Sequence, residues 1–359
     1  MSQISPADPR RANVFGLGLI GGSICVALRD RGWVVSGDDA DPSRVTEALS
    51  RGIVAKAGVD RGAEVTFVAV PVMAVGDQVR RALNETDGFV TDVGSVKSAV
   101  CESIRDARFI GGHPMAGSEL EGLDGADPDL FTGAVWVLTP TSETSDSAFA
   151  TVAGVVGDLG AEVVGLSPER HDELVAVVSH VPHLTAATLM GVASSRATEH
   201  AALLRLAAGG FRDMTRIASG HPAIWLDICD ENRDAIVSTL STLIDGLSSM
   251  RSIVADGDRD RLLARLSTAR EARANLPGRI KAPSELAEVR IPIPDRPGAA
   301  AEVFTLAAEI GVNIANFEVV HSAEGDRGVA VVLVDASSTE VFRGGLMARG
   351  FRPAIQRLG

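Results

Sequence analysis

Apolar positions follow three successive patterns along the chain. From Asn13 to about residue 165, short apolar runs alternate with helix-patterned stretches. The runs are Asn13-Val14-Phe15, Trp33-Val34-Val35-Ser36, Val65 to Val70, Phe89 to Val93, Arg108-Phe109-Ile110, Ala134 to Leu138 and Glu162-Val163-Val164. Uninterrupted runs of this kind predict strands buried on both faces, and their alternation with helices predicts a parallel sheet. From Ser167 the period becomes helical. Ser167-Pro168-Glu169 reads as an N-cap with proline at the first helical position, and Leu174, Val175, Val177, Val178 and Val181 form the predicted apolar face. Pro182 is predicted to kink or restart this helix. Helices follow from Ala223 to Ala255 and from Asp258 to Asn275, with apolar stripes too long for so small a domain, which predicts burial against a second subunit. Pro277, Gly278 and Pro283 mark a linker, and a βαββαβ order between Ala287 and Ile355 predicts a small antiparallel sheet covered by two helices. Three domains are therefore expected, at 12–165, 166–282 and 283–359.

Composition narrows the partners. With 45% apolar and 23% charged residues the chain is globular, and its net charge of −13 argues against nucleic acid or an anionic membrane as partner. An anionic substrate would then need a local cluster of arginines, because the lysines are only Lys56, Lys97 and Lys281. Cys25, Cys101 and Cys229 are odd in number and far apart, with neither a metal spacing nor a disulfide framework, so a reducing compartment is expected. Met1 to Arg11 lacks an apolar signal core and no run is expected to span a membrane, which points to the cytoplasm.

The first strand runs directly into Gly16-Leu17-Gly18-Leu19-Ile20-Gly21-Gly22-Ser23, then a helix-patterned run, then a second strand ending in Gly37-Asp38-Asp39. Strand, G-x-G-x-x-G, helix, strand and acid at this spacing make the dinucleotide-binding fingerprint. Gly16, Gly18 and Gly21, with Leu19 and Ile20 between them, would let the backbone reach a pyrophosphate at the helix N-terminus. Asp39 would accept from the adenosine ribose. The Asp38-Asp39 doublet repels a 2′-phosphate and favours NAD over NADP, while Arg44 just beyond could accept such a phosphate. Val70-Pro71, closing the third strand, would lie toward the nicotinamide, since ligands gather at the carboxyl ends of such strands.

Candidate chemistry sits on later loops of the same edge. Ser95, in Asp92-Val93-Gly94-Ser95-Val96-Lys97, could be a helix N-cap or a substrate contact. Gly111 to Glu119 reads as a loop leaving a strand, presenting His113 between glycines and before Pro114. His180 and His183 are three apart, with His171, Asp172 and Glu173 nearby. Pro182 disrupts a metal geometry and no zinc spacing is present, so these histidines are structural or substrate-facing and no metal is expected. In Gly209 to Ala218, Arg212 and Arg216 share a helical face, and Arg216 could grip a carboxylate.

Gly16 to Ser23, Asp92 to Lys97, Gly111 to Glu119, Ser179 to His183 and Gly209 to Ala218 occur together and in this order. On these motifs, covering about residues 13 to 275, the chain resembles the prephenate dehydrogenase family, which includes arogenate dehydrogenases. Its tail, with Asp295-Arg296-Pro297-Gly298 and Gly311-Val312-Asn313-Ile314, resembles an ACT regulatory domain. The resemblance implies a Rossmann-type α/β domain, an all-helical dimerisation domain and a small α+β ACT-like domain. It further implies oxidative decarboxylation of prephenate by NAD in tyrosine biosynthesis, with arogenate as the alternative substrate. His113 would accept the proton or hydrogen bond of the ring hydroxyl, Ser95 would contact that hydroxyl, and Arg216 would bind a carboxylate. His183 and His180 would help seat the substrate, with Glu119 close to the pocket. The protein would be a homodimer, with Trp225 in the segment reaching across it, and tyrosine could act as an effector at the tail.

Two other readings share parts of this layout. A β-hydroxyacid dehydrogenase would use a lysine of its helical domain as base, and no lysine lies between Lys97 and Lys281. A non-catalytic NAD- or amino-acid-sensing regulator is compatible with the tail, but no DNA-reading helix or basic patch accompanies it.

Overall fold

A computed structural model describes residues 8–118, 120–197, 206–275, 286–294, 296, 298–321 and 327–357. The chain divides into two compact units, Met1–Leu276 and Pro277–Gly359.

The first unit opens on an eight-stranded sheet of order β3-β2-β1-β4-β5-β6-β7-β8. Its strands are β1 Arg11–Phe15, β2 Val34–Asp38, β3 Lys56–Ala57, β4 Val65–Val68, β5 Phe89–Asp92, β6 Phe109–Pro114, β7 Val135–Thr139 and β8 Glu162–Gly165. All pair in parallel except β6 with β7, which are antiparallel. Helices α1 Leu19–Asp30, α2 Pro42–Ser50, α3 Val72–Glu85, α4 Ser98–Ser103 and α5 Asp146–Asp158 connect the strands. The apolar runs are buried as read: β4 is buried throughout, and Phe67, Trp136, Leu138 and Val152 share one core. The two-residue strand β3 carries no apolar run that would predict it.

Gly111 and Gly112 correct one expectation. They lie within β6 rather than in a loop leaving it, and so does His113. A side-chain carbon at Gly111 would fall 2.4 Å from Thr139 Oγ1, and one at Gly112 would fall 2.7 Å from the Asp92 carbonyl oxygen. These glycines serve close packing of a central strand, not chain reversal.

Inside this packing lies an ion pair. Lys97 and Asp92 have fully buried side chains, and the Lys97 ammonium donates to the Asp92 carboxylate and to the Gly112 carbonyl. Asp92 also accepts the N–H groups of Gly94, at 2.8 Å, and Gly112, at 3.2 Å. The Gly112 residue is thus held at both its N–H and its C=O, one position before His113.

The helical part of this unit begins at α6 Pro168–Val175, where Ser167 caps Arg170 N–H at 3.2 Å and Pro168 occupies the first turn, as read. Next to Pro182 the α-helix is interrupted but the chain stays helical: a single π-helical turn, Ala176–His180, carries α6 directly into α7 Val181–Ala197. The proline lacks an N–H, and the wider turn absorbs the lost bond. The resulting run, Pro168–Arg196, has 29 residues and contains a window of 18 with a mean hydropathy of 1.4, by length and composition enough to cross a membrane, which no stretch was expected to be. The π turn also rotates the predicted face: Val177 and Val178 are exposed, while His180 takes the buried position. Then come α8 Gly209–Thr215, a 3-10 turn Arg216–Ser219, α9 Pro222–Glu231, α10 Arg233–Ala255 and α11 Arg259–Ala274. The helix expected from Ala223 to Ala255 is therefore two, divided at Asn232, whose side chain turns inward instead of continuing the helix face.

The second unit contains β9 Leu286–Pro294, α12 Ala299–Glu309, β10 Ile314–His321, β11 Arg327–Asp335, α13 Thr339–Ala348 and β12 Ala354–Arg357. Its antiparallel sheet has order β10-β11-β9-β12. On β9, Ala287, Val289, Ile291 and Ile293 alternate inward, and the last three pack with Val303, Leu306, Phe342 and Leu346 of the two helices. The βαββαβ reading holds element by element.

Removing one member of the interior pair leaves an uncompensated buried charge. Lys97→Met should therefore cost about 3–5 kcal/mol in urea denaturation. Arg61→Ala, which breaks an exposed pair with Asp87, should cost less than about 1 kcal/mol.

Candidate active site

At one end of the sheet the glycine loop is shaped for an anionic ligand. Gly16 sits at φ +90°, where a side-chain carbon would fall 2.3 Å from the Ala69 carbonyl oxygen, and one at Gly21 would fall 1.9 Å from the Gly16 carbonyl oxygen. At Gly18, by contrast, such a carbon would meet nothing within 4 Å. Gly18 precedes α1 in extended conformation with no side-chain cap, so the first-turn N–H groups are left to an incoming group. Leu19 and Ile20 are half-buried at that turn. Asp39 braces the loop, accepting Leu17 N–H at 2.7 Å and Asp41 N–H at 2.9 Å, with Arg44 at 3.8 Å. Asp38 is engaged by Arg81 at 2.6 Å. Val70 follows β4 in the adjoining loop, its methyl against Gly16. A close-packed turn, an uncapped helix N-terminus and a carboxylate after β2 are the parts a dinucleotide needs, and the residues present fit one.

Beyond β5 and β6 the histidines gather. His113 Nδ1 lies 2.8 Å from His171 Nε2, and His171 Nδ1 lies 2.7 Å from Asp172 Oδ1. Asp172 also accepts Lys97 N–H at 2.9 Å and Ser98 N–H at 2.8 Å, so a carboxylate from α6 caps the start of α4. Asn232 donates to the Asp172 carbonyl at 2.8 Å and approaches His180 Nδ1 at 3.1 Å. His180 is buried, and among the described residues its Nε2 has no hydrogen-bond partner. His183 stacks on Trp225, ring centroids 3.6 Å apart and 14° from parallel, and His180 meets the same indole edge-on at 6.2 Å. Trp225 thus packs on the histidines of its own chain.

The electrostatics favour the neutral ring at His113, His180 and His183. Burial, with His171, Lys97 and His180 nearby, holds His113 well below the ordinary histidine value. Burial likewise lowers His180 to about 4, although Asp172 opposes the shift. His183 is lowered by burial alone. Burial would raise Asp172, but the bonds from His171, Ser98 and Lys97 outweigh it and hold the carboxyl below its usual 3.8.

The structure brings together His113, His180, His183 and the edge carrying Ser95. Ser95 is half-buried and caps no helix: α4 begins at Ser98. Arg216 is exposed and opens the 3-10 turn, which ends at Gly220, where a side-chain carbon would lie 3.5 Å from His183 Cε1. Arg212, on α8, bonds the Ala207 carbonyl at 3.1 Å. Glu119 lies outside the described residues.

Residues 24–165 match the family model "Prephenate dehydrogenase, nucleotide-binding domain", and residues 167–268 match "Prephenate dehydrogenase, dimerization domain". A Bacillus subtilis protein named prephenate dehydrogenase is 33% identical over 331 residues, 88% of this chain and 89% of its own. The chain belongs to the prephenate dehydrogenase family. Two solved structures agree. That of prephenate dehydrogenase from A. aeolicus in complex with hydroxyphenyl propionate and NAD+ is 28% identical, with a TM-score of 0.70 over 77% of this chain and 100% of that one. That of Synechocystis arogenate dehydrogenase is 30% identical, with a TM-score of 0.65 over 74% and 100%. Family membership and the glycine fingerprint together make this an NAD-dependent oxidoreductase.

Around His113 the structure gathers Lys97, Asp92, His171, Asp172 and Asn232, to which the sequence by itself assigns no role. His171-Asp172 was visible as a polar doublet, but only the crossing of α6 over the start of α4 shows what it touches.

The depressed histidines set a pH dependence of stability. The unfolded chain takes up protons near the ordinary 6.5 while folded His113 and His180 resist them, so stability is full above about 6.5 and falls as pH drops toward about 4. Urea midpoints should decline over that window, and His180→Asn should flatten the decline. An unchanged slope in the variant would show that His180 is not the titrating group.

Proposed function

We propose that the protein oxidatively decarboxylates prephenate to 4-hydroxyphenylpyruvate, the step that commits the ring to tyrosine, as a soluble cytoplasmic homodimer. The observation that carries this reading is a buried, neutral imidazole, His113, at the carboxyl edge of a dinucleotide-binding sheet, backed by His171 and Asp172. NAD, held by Gly16, Gly18, Leu19, Ile20, Gly21, Asp39 and Val70, supplies a hydride acceptor.

The protein's own residues then have three tasks. His113 takes the hydrogen bond or proton of the C4 hydroxyl as hydride leaves C4, and returns the proton to the phenolic oxygen once the ring carboxyl has departed as CO2. No net proton is released, and aromatisation supplies the driving force. Ser95 contacts the same hydroxyl from the β5 edge. Arg216 binds a substrate carboxylate, with His183, His180 and Glu119 completing the pocket; one arginine opposite an acidic protein's active edge is what a dianion requires. The domain division 12–165, 166–282 and 283–359 assigns cofactor, substrate and dimer contacts, and regulation in turn. Val237, Ile244, Leu247, Val254, Leu263 and Leu266 are exposed on α10 and α11, which supports burial of that face in a dimer.

Arogenate is the alternative substrate. It differs from prephenate in the side chain, not the ring, and the likeness to an arogenate dehydrogenase of 30% identity supports keeping it. Steady-state assays with both substrates and both nicotinamide cofactors choose between them. His113→Asn should lower kcat by about 10²–10⁴-fold with NAD affinity unchanged; near-normal turnover would remove His113 from the mechanism. Arg216→Ala should raise KM for the substrate far more than for NAD.

The C-terminal unit is proposed as an ACT-like domain with tyrosine as effector, on its βαββαβ order and antiparallel sheet. Removing residues 284–359 should abolish tyrosine inhibition. Full inhibition in the truncated protein would place the effector at the active site instead.

A further inference from the structure

We infer that His171 and Asp172 are positioning residues that fix the proton of His113 on Nδ1, leaving Nε2 as a permanent acceptor toward the substrate hydroxyl. The inference rests on the proposed role of His113, but its first readout does not.

The argument runs outward from Asp172. Its carboxylate accepts from Lys97 N–H and Ser98 N–H and lies 2.7 Å from His171 Nδ1. An ionised carboxylate can only accept, so His171 carries a proton on Nδ1. His171 is fully buried. With its proton on Nδ1, the neutral ring has its lone pair on Nε2. That atom lies 2.8 Å from His113 Nδ1, so His113 must donate there, and its Nε2 is left unprotonated. Three groups in series convert one negative charge into a fixed tautomer at the end of the chain.

The remaining surroundings agree. The charged groups near His113 are Lys97, neutralised by Asp92, and Asp172 behind His171. His180, the other ring nearby, is set the opposite way. Asn232 Nδ2 donates to the Asp172 carbonyl and has its other hydrogen for His180 Nδ1 at 3.1 Å, so His180 carries its proton on Nε2, a buried atom with no partner among the described residues. The site thus holds one imidazole acceptor and one imidazole donor, each set by a different neighbour. When His113 takes a proton on Nε2, the resulting cation keeps its Nδ1–H bond to His171, whose ring is polarised by Asp172.

The test uses the full-length protein labelled with ¹⁵N-histidine, in which two-bond ¹H–¹⁵N correlations report the tautomer of each ring, His113 being assigned from His113→Asn. Near neutral pH, His113 should appear protonated on Nδ1 and His180 on Nε2, an internal contrast in one spectrum. Asp172→Asn and His171→Phe should release the His113 tautomer and lower kcat by about tenfold or more, with KM for NAD unchanged. His171→Gln, whose side-chain carbonyl can accept from Nδ1–H, should restore the tautomer and most of the rate. Nε2-protonated His113 in the unaltered protein would overturn the inference, as would an unchanged tautomer in Asp172→Asn. If neither prephenate nor arogenate is turned over, the functional reading fails while the tautomer result stands independently. Should His171→Phe not fold, the unaltered protein and Asp172→Asn decide the question.

Discussion

The buried pair of Lys97 and Asp92 is the interaction on which the active edge depends. Two opposite charges with no solvent exposure are tolerable only when each remaining hydrogen-bonding position is filled. Asp92 fills its own with Gly94 and Gly112 N–H, and Lys97 reaches the Gly112 carbonyl. The pair therefore does more than neutralise itself. It fixes a glycine of β6 from both sides, and the next residue is His113. Positional precision at a strand is cheaper to hold than at a loop, because the ladder bonds on either side already restrict the backbone.

A second carboxylate joins the sheet to the helices. Asp172 caps α4 from outside, so the N-terminal turn of a sheet helix and the first helix of the next domain share one charge. The same carboxylate touches His171, and through it His113. Packing, capping and the polarity of the site are thereby coupled. The π turn at Ala176–His180 belongs to this arrangement: it carries the helix past Pro182 and turns His180 inward, where Asn232, at the break between α9 and α10, meets it. Both irregularities lie at the site, and each aims a side chain rather than merely ending an element.

Much of the fold was legible because its strands are buried on both faces. Continuous apolar runs such as Val65–Val68 have few alternative homes, and the alternation on β9 likewise follows directly from one covered face. The fingerprint was legible for a different reason: at Gly16 and Gly21 close approach of backbone to backbone admits only glycine. Where the reading erred, a long-range contact had overruled a local signal. Gly111 and Gly112 look like a turn, yet they pack against Thr139, Cys101 and Asp92 inside a strand. Val177 and Val178 continue an apolar face on paper, but one π turn sends them to the surface.

The sequence alone determined the class of the protein: the order of strands and helices, the nucleotide loop, the family, and His113 as the residue to examine. These follow from periodicity, from glycine's conformational freedom and from motif order, all of which are local or one-dimensional. Tertiary structure decided what His113 touches. Its partner His171 lies 58 residues away and Asp172 one further, and no periodicity relates β6 to α6. Whether an imidazole accepts or donates depends on which neighbour claims its other nitrogen, and that is settled only when helix and strand are brought within hydrogen-bonding distance.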